Sequence, residues 1–160
     1  MKKTLYCSRN LLNGDDLVSW AQEQGFPKCL SPDQMHATIA YSKRKFYWSA
    51  IKPRENRLII RGGHRSIEVF DKAAVVLQFQ SNSLKNRWEM FLNAGASWDY
   101  DEYKSHITIT YNGLPSGLSQ KDIIPYSGEL IFGPEKLEPL NSNWKSTTVE
   151  IDTNKIFDKK

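Results

Sequence analysis

Two histidines in matching short patterns are the side chains of this sequence best suited to chemistry. The 160 residues contain three histidines, and His36 and His106 each stand two positions before a threonine, in HATI and HITI. A neutral imidazole can accept a proton from an attacking hydroxyl, and an imidazolium can donate one to a leaving oxygen. The hydroxyls of Thr38 and Thr108 can donate to phosphate oxygens as negative charge develops there. Together these groups indicate acid–base cleavage of a phosphodiester bond without a metal ion.

The strands that carry the two patterns must present them on one side. Met35–Tyr41 and His106–Tyr111 have the composition of strands. Because successive side chains of a strand alternate between its faces, His36 and Thr38 share one face, about 6.5 Å apart along the strand. Ile39 then points into a core. Two such strands side by side would bring both histidines and both threonines into one cleft.

A weak internal repeat gives a reason for these strands to meet. The histidines are 70 positions apart, since 106 − 36 = 70. At this offset other landmarks also superpose. They are the strands Thr4–Ser8 and Ala74–Gln78, the helix caps Asn13 and Ser83, and the helix ends Gly25 and Gly95. Each half reads strand, helix, glycine, loop and a strand with His-x-Thr, which predicts two lobes related by a pseudo-twofold axis.

The remaining pattern completes a single domain over residues 1–151, followed by a polar C-terminal tail over 152–160. Leu84–Ala94 has helical periodicity and is preceded by candidate caps at Asn82 and Ser83. Leu58–Arg61 and Ser66–Phe70 flank two glycines, which predicts that these two segments form a hairpin. Further strands are expected at Glu129–Phe132 and Thr147–Ile151.

The composition limits the cellular compartment in which the protein is expected and the kinds of ligand it could bind. The net charge is +4, which favours an anionic ligand without requiring one. The two cysteines form neither a metal-binding spacing nor a disulfide framework, so a reducing cytoplasm is expected. No apolar run approaches the roughly 20 residues of a membrane span. The sequence also offers no carboxylate-rich metal cage, so we expect no metal or other cofactor, no membrane contact and no obligate protein partner.

The two motifs resemble the paired His-x-Thr/Ser-hydrophobic motifs of the 2H phosphoesterase superfamily, over about residues 4–135. This resemblance implies an α+β, bilobal 2H phosphoesterase fold. In that fold, two pseudo-twofold-related antiparallel β lobes with outer helices surround a central groove lined by the motifs. Within the superfamily the chain most resembles the T4-type phage anti-CBASS phosphodiesterases, on the segments KTLYCSRN, HATIAYS, SHITITYN and FGPEK. That resemblance implies metal-independent hydrolysis of 3′–5′ bonds in cyclic di- and trinucleotide immune signals, in the cytoplasm of an infected bacterial host.

Three further residues are candidates for substrate binding. Tyr6 faces the groove if Leu5 and Cys7 face the core, and the resemblance gives a tyrosine the role of stacking on a base; an ordinary core aromatic is the alternative. Glu135 in FGPEK matches an acidic residue that the resemblance places near the ligand. Its alternatives are a solvent-exposed glutamate, or a shift of that role to Glu138. An isolated tryptophan among polar residues, Trp144, either stacks on a ligand or closes the core.

Other functions remain open at this point. One is processing of RNA ends or 2′,3′-cyclic phosphates by an enzyme of the same superfamily. Another is a sponge that binds cyclic nucleotides without hydrolysing them. A third is a basic RNA-binding protein, although long nucleic acid is not the expected partner. Four arginines could add phosphate contacts, but the sequence does not order them: Arg54, Arg57, Arg61 and Arg65.

Overall fold

A computed structural model of the protein describes residues 1–141 and 147–154. The strands are β1 (Lys3–Leu11), β2 (Lys28–Leu30), β3 (His36–Phe46), β4 (Leu58–Ile60), β5 (Arg65–Phe70), β6 (Ala74–Phe79), β7 (His106–Thr110), β8 (Leu130–Glu138) and β9 (Glu150–Asp152). The helices are α1 (Gly14–Gln24) and α2 (Asn82–Asn93), with short 3-10 turns at Pro32–Gln34 and Gln120–Asp122. None of the helices in this part of the chain is long and apolar enough to cross a membrane.

The strands form two main antiparallel sheets, which confirms the predicted α+β class. The first lobe is a four-stranded sheet with the order β3-β1-β8-β4, and the second is a three-stranded sheet with the order β5-β6-β7. Strands β2 and β9 form a small third sheet. The lobes share one hydrophobic core, in which the rings of Phe79 from β6 and Phe132 from β8 stack 5.7 Å apart. This shared core holds the lobes together.

The internal repeat is present, but the offset between its two halves is smaller before the helices than after them. Ser8 pairs with Thr38 in the first lobe, and Val76 pairs with Thr108 in the second. Strands β1 and β6 are therefore related by 76 − 8 = 68 positions, whereas the motifs are 70 apart. The helices account for the difference, because α1 has 11 residues and α2 has 12, and α2 also has an additional capping residue, Ala94, before its glycine. The predicted constant offset of 70 is corrected accordingly.

Both helices begin and end where their local chemistry requires. The side chain of Ser81 accepts a hydrogen bond from the Leu84 N–H at 3.1 Å, so the cap of α2 is Ser81 rather than Asn82 or Ser83. Gly25 ends α1 in the left-handed region, at φ 101°, where a glycine carries no steric penalty. Gly95, two positions beyond α2, has φ 120°.

The predicted hairpin of Leu58–Arg61 and Ser66–Phe70 is wrong. Strand β4 pairs with β8, and β5 pairs with β6. The turn between β5 and β6 contains Asp71 and Lys72, both with positive φ, as a tight hairpin turn matched to the twist of its strands requires. The two glycines at 62 and 63 therefore lie in a connection between sheets. The two glycines correctly indicated a turn, but they did not indicate which strands pair with each other.

The C-terminal boundary also differs from the prediction. Strand β9 continues to Asp152, and Thr153 is buried, with its hydroxyl donating to the Phe26 carbonyl at 2.9 Å. Residues 152–154 therefore pack against the domain, and the rest of the predicted tail, 155–160, lies outside the described residues. Both cysteines, Cys7 and Cys29, are free and buried, and burial raises the pKa of the Cys29 thiol to about 12.

A buried ion pair attaches α2 to the back of the first sheet. The Arg87 guanidinium donates to both carboxylate oxygens of Glu135 at 2.9 Å. The side chains are 8% and 1% exposed, so water screens this pair very little. Removing one partner of such a pair leaves the other charge buried without compensation. The free energy of unfolding should therefore depend strongly on Glu135.

We expect Glu135→Gln to lower the free energy of unfolding by about 3 kcal/mol, because Arg87 then remains buried beside a neutral amide. Glu138→Gln is the matched control, since the same chemical change is made three positions along the same strand at an exposed residue. Its effect should stay within about 0.5 kcal/mol. Urea unfolding measures both values, and equal stabilities for the two variants would contradict the structural role of Glu135.

Candidate active site

The two motifs lie on β3 and β7, the edge strands of the two main sheets. His36 and Thr38 on β3 are half-buried, whereas Ala37 and Ile39 between and beyond them are fully buried. On β7, His106 is half-buried and the adjacent Ile107 is fully buried. Period-two alternation therefore operates as predicted in both strands. We call the side of the sheets that carries the motif side chains the motif face.

Strand β3 contacts β7, so the two motifs belong to one region of the molecule. The Tyr103 hydroxyl, which precedes β7, donates to the Thr38 carbonyl at 2.6 Å and ties the second lobe to the first motif. The positive charge of a protonated His36 is among the causes that lower the pKa of His106. The two imidazoles are therefore close enough to interact electrostatically.

Equivalent hydrogen bonds hold the two histidine rings. Nδ1 of His36 lies 2.8 Å from the Gln34 carbonyl oxygen, and Nδ1 of His106 lies 2.8 Å from the Lys104 carbonyl oxygen. A carbonyl can only accept, so Nδ1 carries the proton in each ring. Each neutral imidazole therefore has its lone pair on Nε2. The repeat has thus preserved the orienting backbone group two residues before each histidine, as well as the histidine itself.

Burial lowers the pKa of both rings below the ordinary value of 6.5. For His36 the Gln34 carbonyl opposes this shift by stabilising the charged ring, and the positive charge of Lys136 adds to it. For His106 the Lys104 carbonyl opposes the lowering of the pKa, and the positive charge of His36 adds to it. Both imidazoles are consequently neutral at pH 7, which suits a proton acceptor.

Tyr6 lies on the motif face and is bound to the first motif through its hydroxyl. The oxygen is 2.7 Å from His36 Nε2 and 2.9 Å from Thr38 Oγ1. Burial raises the pKa of the phenol, so Tyr6 stays protonated. With His36 neutral, the hydroxyl donates to Nε2 and accepts from Thr38. The tyrosine ring meets the imidazole edge-on, with centroids 6.1 Å apart. The stacking role expected from the sequence remains a prediction.

The second motif has a different support. A side-chain hydrogen bond joins Tyr111 to Thr108. The carboxylate of Glu150 on β9 accepts from the Thr110 hydroxyl at 2.6 Å and from the Tyr111 amide at 3.0 Å. At the β1–β6 offset of 68, Tyr6 corresponds to Ala74, so the second lobe has no equivalent of the Tyr6 hydroxyl. Among the residues that the structure describes, the two histidines are alike in their Nδ1 bonds and differ at Nε2, where His36 alone bonds to a tyrosine hydroxyl.

Sequence reasoning missed Lys136 and Tyr111 on this face and named Glu138 only as an alternative to Glu135. Lys136 and Glu138 on β8 stand opposite Ser8 and Tyr6 in the strand register, and both are exposed. Lys136 has no sequence signal of its own, because the pairing of β1 with β8 joins segments more than 120 positions apart. Tyr111 could have been found, since it stands 70 positions after Tyr41 and continues the repeat.

The structure corrects the expectation for Glu135. This residue pairs with Arg9 in the β1–β8 register and therefore lies on the face opposite the motifs. It is 5% exposed, and its two oxygens are taken by Arg87 and by the Arg54 amide. Neither a ligand contact nor the alternative of a solvent-exposed glutamate fits this position. Glu138, three positions further along the same strand, lies on the motif face. Trp144 lies outside the described residues.

A metal centre has no obvious ligand set here. Within residues 1–141 and 147–154, no three His, Cys, Asp or Glu side chains lie close enough together to hold a metal ion. Two imidazoles, two threonine hydroxyls and a tyrosine hydroxyl lie on the motif face.

Comparison with known proteins identifies relatives and the fold. A family model described as anti-CBASS protein Acb1 matches residues 3–147. Curated proteins of that name are similar to this chain. One from Caulobacter sp. (strain RHG1) is 43% identical over 89% of this chain and 23% of its own length. One from Enterobacteria phage T4 is 28% identical over 74% of each chain. The chain spans about a quarter of the length of the Caulobacter relative and of a Sphingomonas paeninsulae relative.

Solved structures with low sequence identity share the fold. A structure described as a phosphoesterase has a TM-score of 0.61 at 13% identity, covering 95% of each chain. The apo structure of E. coli LigT has a TM-score of 0.56 at 13% identity, covering 94% of each chain. These neighbours confirm the predicted 2H phosphoesterase fold.

At pH 7 we expect ¹⁵N NMR to show both motif histidines as the neutral tautomer with the proton on Nδ1, since a backbone carbonyl accepts from that atom in each ring. Both should titrate below pH 6.5. Because their folded-state pKa is lowered, the unfolded chain binds more protons in this range, and stability should fall as the pH drops through 6.5. A proton on Nε2 in the neutral ring, or titration above 6.5, would contradict the geometry.

Proposed function

Since this chain belongs to the anti-CBASS protein Acb1 family, we propose that it hydrolyses the 3′–5′ bonds of cyclic di- and trinucleotide immune signals without a metal ion. The observation that carries the proposal is the pair of equivalently held imidazoles on neighbouring strands, each with a threonine two positions on. A phosphodiesterase without a metal needs a proton acceptor, a proton donor and hydrogen-bond donors for the phosphate oxygens. The motif face supplies all three.

In the proposed reaction one neutral imidazole accepts, at Nε2, the proton of the attacking hydroxyl. A bond forms between that oxygen and phosphorus, and the bond from phosphorus to the leaving ribose oxygen breaks. The other imidazole, protonated before the step, gives its Nε2 proton to the leaving oxygen. The hydroxyls of Thr38 and Thr108 donate to the non-bridging oxygens. Proton exchange with water then restores both rings to their starting forms.

The Nδ1 bonds adapt both rings to this exchange. A backbone carbonyl accepts from Nδ1–H in the neutral ring and equally in the imidazolium, where the bond is charge-assisted and stronger. The ring orientation therefore stays the same when Nε2 gains or loses its proton. Orientation of acid and base groups without reorganisation is a large part of what an enzyme contributes to such a step.

Tyr6 acts in this proposal as a positioning residue for His36 and Thr38. Its hydroxyl lies between His36 Nε2 and Thr38 Oγ1, at 2.7 and 2.9 Å, and fixes both groups before a substrate arrives. When His36 is protonated, the same oxygen accepts from Nε2–H. Because this hydroxyl occupies His36 Nε2 and takes the proton of the Thr38 hydroxyl, the substrate must displace it before His36 can exchange a proton and Thr38 can donate to a phosphate oxygen.

The partners in this proposal are small cyclic oligonucleotides, with no obligate protein partner, and the place of action is the cytoplasm of an infected bacterial cell. Lys136, exposed on the motif face, provides a positive charge for an anionic ligand. Two other activities are outcomes of the test below. An RNA-end enzyme would cleave a linear 2′,3′-cyclic phosphate end instead, and a sponge would bind cyclic nucleotides without releasing products.

We expect the purified protein to linearise a 3′,3′-cyclic dinucleotide in the presence of EDTA. His36→Ala and His106→Ala should each lower kcat by about 10²–10⁴-fold, because each removes one proton-transfer group. His64→Ala, at the exposed third histidine, is the matched control and should retain full activity. Chromatography of the products measures these four proteins and the double variant that carries both His36→Ala and His106→Ala. Turnover that is lost in EDTA, or that survives in the double motif variant, would contradict the proposal.

Substitutions of Tyr6 separate positioning from base stacking. Tyr6→Phe keeps an aromatic ring and removes only the hydroxyl, so we expect kcat to fall about three- to tenfold, the effect of one lost hydrogen bond, with KM little changed. Tyr6→Leu also removes the ring. A stacking residue would instead leave the Phe variant fully active and raise KM only in the Leu variant. Steady-state kinetics on the two variants decide between these roles.

A further inference from the structure

A second site with the chemistry of an anion receptor lies on the opposite side of β1 from the motifs. Ser8 and Asn10 point to the motif face, so Arg9 between them points to the back of the sheet. There a cavity of about 430 Å³ opens beside Arg9. The residues that line it include Arg9, Arg54, Arg57, Glu55, Asn56 and Ser83. We call this the arginine cavity.

Buried charged groups fix the wall of this cavity. The segment from Lys52 to Arg57 has no regular secondary structure, yet its backbone is held at alternate residues. Arg87 Nη2 donates to the Lys52 carbonyl at 3.0 Å, and Arg9 Nη1 donates to the Asn56 carbonyl at 2.8 Å. Between them, the Arg54 amide donates to Glu135 Oε1, and the Glu135 amide donates to the Arg54 carbonyl, both at 2.9 Å. A surface loop anchored in this way presents its side chains from a fixed backbone.

The charge around the arginine cavity is positive. Arg9 is only 5% exposed and donates through Nη1 to two carbonyls, while its Nε and Nη2 have no partner within the described residues. The side chains of Arg54 and Arg57 are exposed and likewise unpaired within that part of the chain. Glu55 is the one carboxylate among the described lining residues, because the nearby Glu135 is already neutralised by Arg87. Burial lowers the pKa of Arg9, the charge of Glu135 opposes this shift, and the charges of Arg54 and Arg87 add to it.

The first turn of α2 adds donors at the same place. Ser83, which lines the cavity, is the second residue of the helix, and this first turn contains no acidic residue. The amides of Asn82 and Ser83 have no acceptor within the described chain, as is usual at a helix start. The helix N-terminus therefore reinforces the arginines, since its free amides and dipole also favour negative charge.

We propose that the arginine cavity binds a phosphate dianion, either inorganic phosphate or the phosphomonoester of a nucleotide. The arginine guanidinium groups and the free helix amides together offer more hydrogen-bond donors than the two oxygens of a carboxylate can accept. The three terminal oxygens of a phosphate can accept from all of these groups. A phosphomonoester carries about −1.5 to −2 charges at pH 7, against one for each phosphodiester of a cyclic nucleotide. The site therefore selects terminal phosphates and does not depend on the activity of the motif face.

The test is titration of the whole protein with inorganic phosphate, 5′-AMP and adenosine, followed by calorimetry and by NMR of the Arg9 Nε–H signal. Arg54→Gln with Arg57→Gln is the key variant, because both side chains are exposed and their loss leaves the backbone anchors in place. Arg44→Gln, at an exposed arginine on β3, removes a positive charge elsewhere. His36→Ala with His106→Ala reports any binding on the motif face.

We expect phosphate and 5′-AMP, but not adenosine, to bind the wild-type protein and to shift the Arg9 signal. The affinity should fall about tenfold in the Arg54/Arg57 variant, which loses two charge-assisted donors, and stay unchanged in the Arg44 and histidine variants. Tighter binding of 5′-AMP than of phosphate would identify a nucleotide as the ligand, and equal affinities would identify phosphate alone. The proposal would be overturned if phosphate did not bind, or if the Arg54/Arg57 variant bound it as tightly as the wild-type protein. It would also be overturned if binding were lost only in the histidine variant.

Discussion

The two-residue period of β1 separates the chemistry of this protein into two faces of one sheet. Tyr6 and Ser8 lie on the side of the motifs, while Cys7 and Arg9 lie on the other. A shift of one position in the pairing of β1 would exchange these sets. The register is fixed because β1 is a central strand, paired on both sides with β3 and β8. The motif face and the arginine cavity both depend on this register.

The buried ion pair behind the sheet carries a large desolvation cost. Bringing Arg87 and Glu135 out of water costs several kcal/mol for each ion, which their attraction and hydrogen bonds must offset. An apolar pair of similar volume would hold α2 against β8 without that cost. The ions do something an apolar pair cannot, because they also bond to the backbone of the segment that follows Ile51. The conformation of that segment, and with it the arginine cavity, is therefore a reason to retain the charges.

The parts of the structure that could be predicted from sequence are those governed by local pattern. Alternation within a strand identified the faces of His36 and Thr38, and glycine marked the ends of both helices. The errors arose where a distant partner decides the outcome. Glu135 was expected just after a strand that ends at Phe132, but it lies within the longer β8, whose pairing with β1 sets its orientation. No local signal could show that it faces Arg87. The glycines at 62 and 63 indicated a turn correctly, but could not reveal that β4 pairs with β8.

The last described strand has a consequence for how the domain responds to proteolysis. Glu150 on β9 bonds to Thr110 and to the Tyr111 amide, and Tyr111 in turn bonds to Thr108 of the second motif. A protease that cut the chain just before β9 would release the Glu150 carboxylate that holds the end of β7. The hydrophobic core shared by the two lobes would stay intact, so partial digestion should abolish the proposed activity before the domain unfolds.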